Sequence, residues 1–293
     1  EYDALPELGH GCGHNLIAMM SLGAAIAFSQ SAPEAWGTTF FGCPAEETIG
    51  GKVYMAEAGL FKGYEAALII HPGGENEVGG TSLATHPLEV TFHGRSCHIA
   101  SLTDSGINAL DCAVDLYQKV KELKKTFPKG AIVGAIFTEA GTAPNVVTPK
   151  ATLRMTVRGR TVDDLEGIIL PAIKAAAQEI GAFYGAQVEM HHYEPLFKDM
   201  RQDKKLLNLF KAVMTEFGEV PRILPDDEAD GSTDVGNVSY EVPTAQPTLQ
   251  IGLGLEAHTP EFTCAAGSDY GLAQAIKGAK LMAVVALRYA MCK

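Results

Sequence analysis

The sequence predicts an α/β protein in two parts: a mostly parallel sheet flanked by helices, and an α+β unit that interrupts it. Three observations predict this. The first 84 residues alternate helices with short, continuously apolar strands, the pattern of strands covered on both faces. The middle of the chain follows a β-α-β-β-α-β order, a split βαβ layout with an antiparallel sheet. After about residue 199 the first rhythm returns. Residues 1–84 and 200–293 therefore form one domain. Residues 85–199 form a second, long enough to fold around its own core.

The elements follow in order. Asn15 to Phe28 (NLIAMMSLGAAIAF) is apolar, Ala-rich and free of proline, hence a buried helix, with Asn15 as its N-cap. Thr38 to Gly42 (TTFFG) is β-branched and aromatic, hence a strand. Ala66 to Ile70 (AALII) is another, ending at His71-Pro72-Gly73-Gly74. Pro87 to Phe92 is a strand, and Gly106 to Phe127 is a helix with Leu110, Ala113, Val114, Tyr117 and Val120 on one face. Ala131 to Phe137 and Ala151 to Gly159 are strands. Asp163 to Tyr184 is helical, with Pro171 placed to kink or restart it, and Gln187 to His191 is a strand. Lys204 to Phe217 carries Leu206, Leu207, Leu209, Phe210, Val213, Met214 and Phe217 at helical spacing. Pro247 to Ile251 is a strand leading towards His258, and Tyr270 to Met291 is a closing helix.

Composition narrows the function classes. With 46% hydrophobic and 20% charged residues, disorder is not expected. A formal charge of −12 makes nucleic acid a poor partner, because phosphates need Lys and Arg. No uninterrupted apolar run approaches the roughly 20 residues that span a bilayer, so no membrane partner is expected. Six scattered cysteines form no CxxC pair and read as the reduced thiols of a cytoplasmic protein. The chain opens on Glu1-Tyr2-Asp3-Ala4-Leu5-Pro6, without a leader or an initiating Met, as if cut into at a strand end.

Two clusters carry chemistry. Gly9-His10-Gly11-Cys12-Gly13-His14-Asn15 interleaves three glycines with two histidines and a cysteine just before a helix. Such a density of ligand side chains favours a metal-binding loop over a bare glycine turn. The helix N-terminus also helps hold Cys12 as a thiolate. Cys43-Pro44-Ala45-Glu46-Glu47-Thr48 follows a predicted strand. Two adjacent acids alone read as a solvated loop, but ligands of open α/β sheets bind beyond the carboxyl ends of strands. Cys12, Glu46-Glu47, His71 and His258 all fall at such ends, so four strand ends converge on one site. Of two consecutive glutamates, one can bind metal while its neighbour handles a proton for a metal-activated water. In the inserted part, Gly94-Arg95-Ser96-Cys97-His98 and Gly141-Thr142-Ala143-Pro144-Asn145-Val146-Val147 are lid-like loops. His98 reads equally as a surface histidine or a hydrogen-bond donor to substrate. Asn145 reads as a turn cap or as such a donor.

Taken together, EYDALPELGHGCGHN, PAEE, His71, FHGRSCH, GTAPNVV and AHTP resemble the dinuclear metallo-amidohydrolases, the aminoacylase family of zinc metallopeptidases with a lid domain. The resemblance spans nearly the whole chain and is greatest to the aminoacylase-1-like-2 and aminobenzoyl-glutamate hydrolase branch. It implies a catalytic α/β domain with a ferredoxin-like lid and dimerisation domain, and a homodimer formed through that lid. It implies two divalent ions, Zn or Mn, held by Cys12, His14, Glu47, His71 and His258, with Glu46 as general base. His98 would assist catalysis from the lid, Asn145 would hold substrate, and Arg158 would meet a substrate carboxylate. Members of the family carry further sequence before EYDALP, and Asn15 stands where related branches have Asp.

The expected function is hydrolysis of the amide bond of N-acyl or aminoacyl amino acids by a two-metal-activated water, with a small amide or dipeptide as substrate. One alternative is a metal- or peptide-binding protein without turnover, short of its first segment. Another is an amidase using Cys12 as nucleophile with His14 or His10 as base.

Overall fold

The computed structural model describes residues 9–100 and 106–292, so the predicted strand end before Cys12 lies outside the described residues. The chain separates into two compact units. Unit 1 is Glu1–Thr81, Met200–Asp230 and Asp234–Lys293; unit 2 is Ser82–Asp199 with Gly231–Thr233.

Unit 1 opens with α1 (His14–Ser31), whose buried stripe is Leu16, Met20, Ala24 and Phe28, each four residues on from the last. Its cap is Gly13, not Asn15. Gly13 takes the left-handed conformation (φ 72, ψ 27), where a residue without Cβ pays least. Asn15 lies within the first turn, and its amide donates to the Ala266 carbonyl at 3.1 Å.

Residues 38–42 form no strand. A strand is defined by its ladder, and β propensity without a partner does not make one. Phe41 packs instead on Phe61 and Tyr64, with ring centroids 5.0 and 5.4 Å away. After α2 (Gly51–Glu57) come β1 (Ala67–Leu68), β2 (His71–Gly73) and β3 (Glu77–Thr81).

Unit 2 contains β4 (Ala84–Thr85), β5 (Leu88–His93), α3 (Ala109–Leu123), β6 (Ile132–Glu139) and β7 (Lys150–Gly159). It ends with α4 (Val162–Asp164), a π-helical stretch over Leu165–Ile169, α5 (Leu170–Tyr184) and β8 (Gln187–His191). All its pairings are antiparallel: β5 lies between β7 and β8, while β4 and β6 also pair with β7. Asn108 caps α3 by accepting from the Leu110 amide at 3.1 Å. The buried face of α3 is Ala109, Cys112, Ala113, Leu116 and Val120. Val114, expected on that face, is exposed, because the helix is rotated to centre the stripe on Leu116. Pro171 marks a restart, as expected: α5 begins at Leu170 with Pro171 in its first turn. The wider π turn ends just before it, where an α-helical bond to Gly167 would have needed the N–H that proline lacks. Leu116, Ile173 and Ala177 pack with Val90, Phe92, Leu153 and Met155 in the core of this unit.

Unit 1 resumes with α6 (Lys204–Glu216), β9 (Arg222–Ala229), α7 (Val235–Ser239), β10 (Thr244–Ala245) and β11 (Thr248–Gln250). It closes with α8 (Pro260–Ala266) and α9 (Asp269–Met291). β1 pairs parallel with β10, and β2 parallel with β11. Between them, Ile69 N–H donates to the Ala245 carbonyl (3.2 Å) and His71 N–H to the Pro247 carbonyl (3.0 Å), so the two ladders run on as one. β11 pairs antiparallel with β3, and β3 parallel with β9. Sequence patterning does not reveal β3 or β9: EVGGT holds two glycines, and RILPDDEA is acidic with a proline.

Leu16, Met20, Phe210, Leu249, Phe262, Leu281 and Val285 belong to the core of unit 1. α9 is long and apolar enough to cross a membrane by length and composition alone. Its Ala275, Leu281, Met282, Val285 and Tyr289 lie in this core, as in an amphipathic helix of a folded domain.

Candidate metal centre

Four short segments of unit 1 build the site. The first is the glycine loop. Gly13 N–H donates to the His10 carbonyl at 2.9 Å, closing a tight turn around Cys12. A Cβ on Gly13 would stand 2.7 Å from Pro72 Cγ, so the loop packs directly on the residue after His71.

The second segment is the acidic turn. Gly50 and Gly51 N–H groups donate back to the Ala45 and Pro44 carbonyls, at 2.9 and 3.2 Å, leaving Glu46 and Glu47 at the tip. The third is β2, which places His71. The Nδ1 of His71 lies 2.7 Å from the Pro72 carbonyl, a bond that orients the ring and leaves Nε2 facing Cys12 Sγ at 3.5 Å. The fourth follows β11: His258 N–H donates to the Gly11 carbonyl at 2.7 Å, tying this segment to the first.

Backbone strain concentrates here. Among the described residues, positive φ outside glycine occurs at His10 (45°), Ala45 (57°) and His258 (63°). All three lie in the segments that carry the cluster, and such strain persists where the surroundings over-determine it.

The side chains converge in three overlapping groups: Cys12 with His14 and His71, Cys12 with Glu47 and His258, and His14 with Glu46 and Glu47. Within each group the ligand atoms lie within 4.8 Å of one another. His258 Nε2 is 3.3 Å from Glu47 Oε1, while His14 Nε2 is 3.8 Å from Glu47 and 3.9 Å from Glu46. Burial pushes the His71 imidazole down to about 4, against the opposing Pro72 bond and with help from His14, Lys52 and His258. At neutral pH it is therefore an uncharged ring with a lone pair to give, as a metal ligand must be. One thiol, three imidazoles and two carboxylates around shared points suit divalent cations.

The structure thus brings Cys12, His14, Glu46, Glu47, His71 and His258 together. The route differs from convergence at four strand ends. His71 opens β2 and His258 follows β11, but Glu46 and Glu47 sit on a turn that follows residues 38–42, which form no strand. His98, Asn145 and Arg158 belong to unit 2. His98 and Asn145 are exposed on adjoining loops: His98 bridges to Val146, and Ile99 N–H donates to the Asn145 carbonyl at 3.0 Å. Arg158 is on β7, paired with Thr85 on β4 and with Ile132 on β6. Sequence reasoning missed the Pro72 carbonyl that orients His71, since no residue type signals a backbone acceptor.

An α/β protein whose Cys, His and Glu side chains gather at one point is of the class built to hold divalent metal ions. The model of Peptidase family M20/M25/M40 matches residues 2–288, and the chain belongs to this family. It is a hydrolase of the peptidase and amidohydrolase kind, as the motifs indicated. It is 33% identical to the Xaa-Arg dipeptidase of Mus musculus, over 98% of this chain and 68% of that protein. It is also 33% identical to one chain of the p-aminobenzoyl-glutamate hydrolase of Escherichia coli, over 55% of this chain and 35% of that one. Among solved structures, the Bacillus subtilis YXEP protein, described as a dinuclear metal-binding peptidase of the M20 family, has the same fold. Its TM-score is 0.67 at 22% identity, over 96% of this chain and 74% of that chain.

Proposed function

We propose that this chain hydrolyses the amide bond of N-acyl or aminoacyl amino acids, dipeptides included, at a two-cation site formed by Cys12, His14, Glu47, His71 and His258. The observation that carries this is the overlap of the three donor groups, which share Cys12, His14 and Glu47 pairwise. Bound divalent cations supply Lewis acidity towards water and the scissile carbonyl. A thiolate among the donors favours zinc over manganese.

Glu47 belongs to two of the groups and Glu46 to one, which supports Glu47 as ligand and Glu46 as base. Glu46 takes the proton from the attacking water and passes it to the leaving nitrogen. His71, kept neutral and aimed by the Pro72 carbonyl, holds its place without competing for that proton. Unit 2 is the lid: His98 donates to the carbonyl oxygen as charge develops on it, Asn145 holds the substrate, and Arg158 meets its carboxylate. Ile132, Ile136 and Phe137 are exposed on β6, whose only strand partner among the described residues is β7, and this edge supports a homodimer through unit 2. We place the activity in the cytoplasm.

The test is a panel of N-acyl amino acids and dipeptides, Xaa-Arg peptides included, assayed with and without chelator. Glu46→Gln should lower kcat by about 10²–10⁴ while metal stays bound. Full activity in that variant refutes the mechanism.

A Cys12 nucleophile has a geometric counterpart in His71, whose Nε2 lies 3.5 Å from its Sγ. That reading predicts inactivation by alkylation and indifference to chelators.

A further inference from the structure

We propose that Lys52 and Asp234 form a positioning pair that holds the Glu46–Glu47 turn against the metal cluster, an inference that rests on the function proposed above.

The turn is open at its entry, because residues 38–42 make no ladder. Its exit is clamped. A Cβ on Gly51 would stand 2.3 Å from the Pro44 carbonyl oxygen, so the two ends of the turn are in contact. The next residue, Lys52, is gripped twice by one carboxylate. Its backbone N–H donates to Asp234 Oδ2 at 2.9 Å, and its ammonium donates to Oδ1 at 2.8 Å. Asp234 is fully buried, and the Lys52 side chain is only 12% exposed.

Two features argue that this is more than a staple. Asp234 stands at the N-cap of α7, where an aspartate ordinarily accepts from its own helix. Here its side chain makes no such bond and turns to Lys52 instead. A buried ion pair is also weak evidence for stability, since apolar residues often serve as well, and this one spans two segments that meet at the cluster.

The position of Asp234 supplies that geometry. It begins the segment that runs through α7 into β10 and β11. Those strands pair with the β1–β2 path that carries His71, and β11 leads on to His258. One carboxylate therefore ties the glutamate turn to the framework bearing two of the other ligands.

The test titrates Co²⁺ into the full chain stripped of metal, reading affinity and the thiolate-to-cobalt absorption band, with kcat and KM measured in parallel. Asp234→Asn and Lys52→Gln should each weaken Co²⁺ binding by about tenfold or more and lower kcat more than they raise KM. The thiolate band should survive, because the Cys12 loop is held separately by the His258–Gly11 bond. Lys52→Arg should recover part of the loss. Unchanged Co²⁺ affinity overturns the proposal. So does loss of the thiolate band together with the affinity, which would show general loosening. Should Asp234→Asn fail to fold, Lys52→Gln carries the same test, since it keeps Asp234 and its bond to the backbone. A natural-sequence chain that binds no Co²⁺ would instead refute the metal reading itself.

Discussion

Gly13→Ala is expected to damage the fold and the metal centre together, by an amount the structure allows to be worked out. Gly13 sits at φ 72, ψ 27, where an L-residue with a Cβ costs about 1–2 kcal/mol. The added methyl would stand 2.7 Å from Pro72 Cγ and 3.1 Å from Phe262 Cε1. Neither is the far end of a flexible chain: Phe262 is 1% exposed, and the pyrrolidine ring of Pro72 is rigid. Forcing a methyl into such packing costs about 1–3 kcal/mol. The sum is about 2–5 kcal/mol. Pro72 must yield, and its carbonyl is the acceptor that aims His71. Metal affinity should therefore fall with Tm. Differential scanning calorimetry and Co²⁺ titration read the two effects. Gly37→Ala is the control, because nothing lies within 4 Å of its Cβ position. A Gly13→Ala protein that melts and binds like the Gly37→Ala control would refute the reasoning.

Three further outcomes follow from the same structure. Phe92→Ala removes a fully buried ring from the core of unit 2 and should cost about 3–5 kcal/mol in urea unfolding. His192 is held below its ordinary 6.5 by burial, then by His86 stacked at 3.4 Å, with Lys174 Nζ 3.0 Å from its Nε2. The unfolded chain takes up that proton first, so stability should fall as pH drops below 6.5, and His192→Gln should flatten the slope of the urea midpoint against pH. Zinc at roughly 100 times its Kd should raise the stability of the metal-free chain by about 2.7 kcal/mol, and His71→Ala should remove most of that gain.

Much of the architecture was legible in the chain itself. Long elements with strong patterning read well: α1, α3, α5, α6 and α9, and the strands at β5, β7 and β8. The failures share a cause. Residues 38–42 carry strand propensity and form no strand, while the acidic run Arg222–Ala229 has little and forms β9. Val114 illustrates a finer limit, since composition permits two neighbouring stripes on α3 and packing selects one.

The sequence by itself determined which side chains are available for chemistry. Cys12, His14, Glu46, Glu47, His71 and His258 are readable as candidate donors and a candidate base from residue type, glycine context and motif order. Periodicity determined which apolar side chains share a helix face, because spacing is local, while packing chose the stripe that is buried, as Val114 on α3 shows. Only the tertiary structure decided how the donors meet. The left-handed cap at Gly13, the Pro72 carbonyl behind His71 and the twofold grip of Asp234 on Lys52 leave no local signature. Lys52 and Asp234 are 182 residues apart, and a hydrogen bond across that distance is a relation between two places in space that neither stretch of sequence encodes alone.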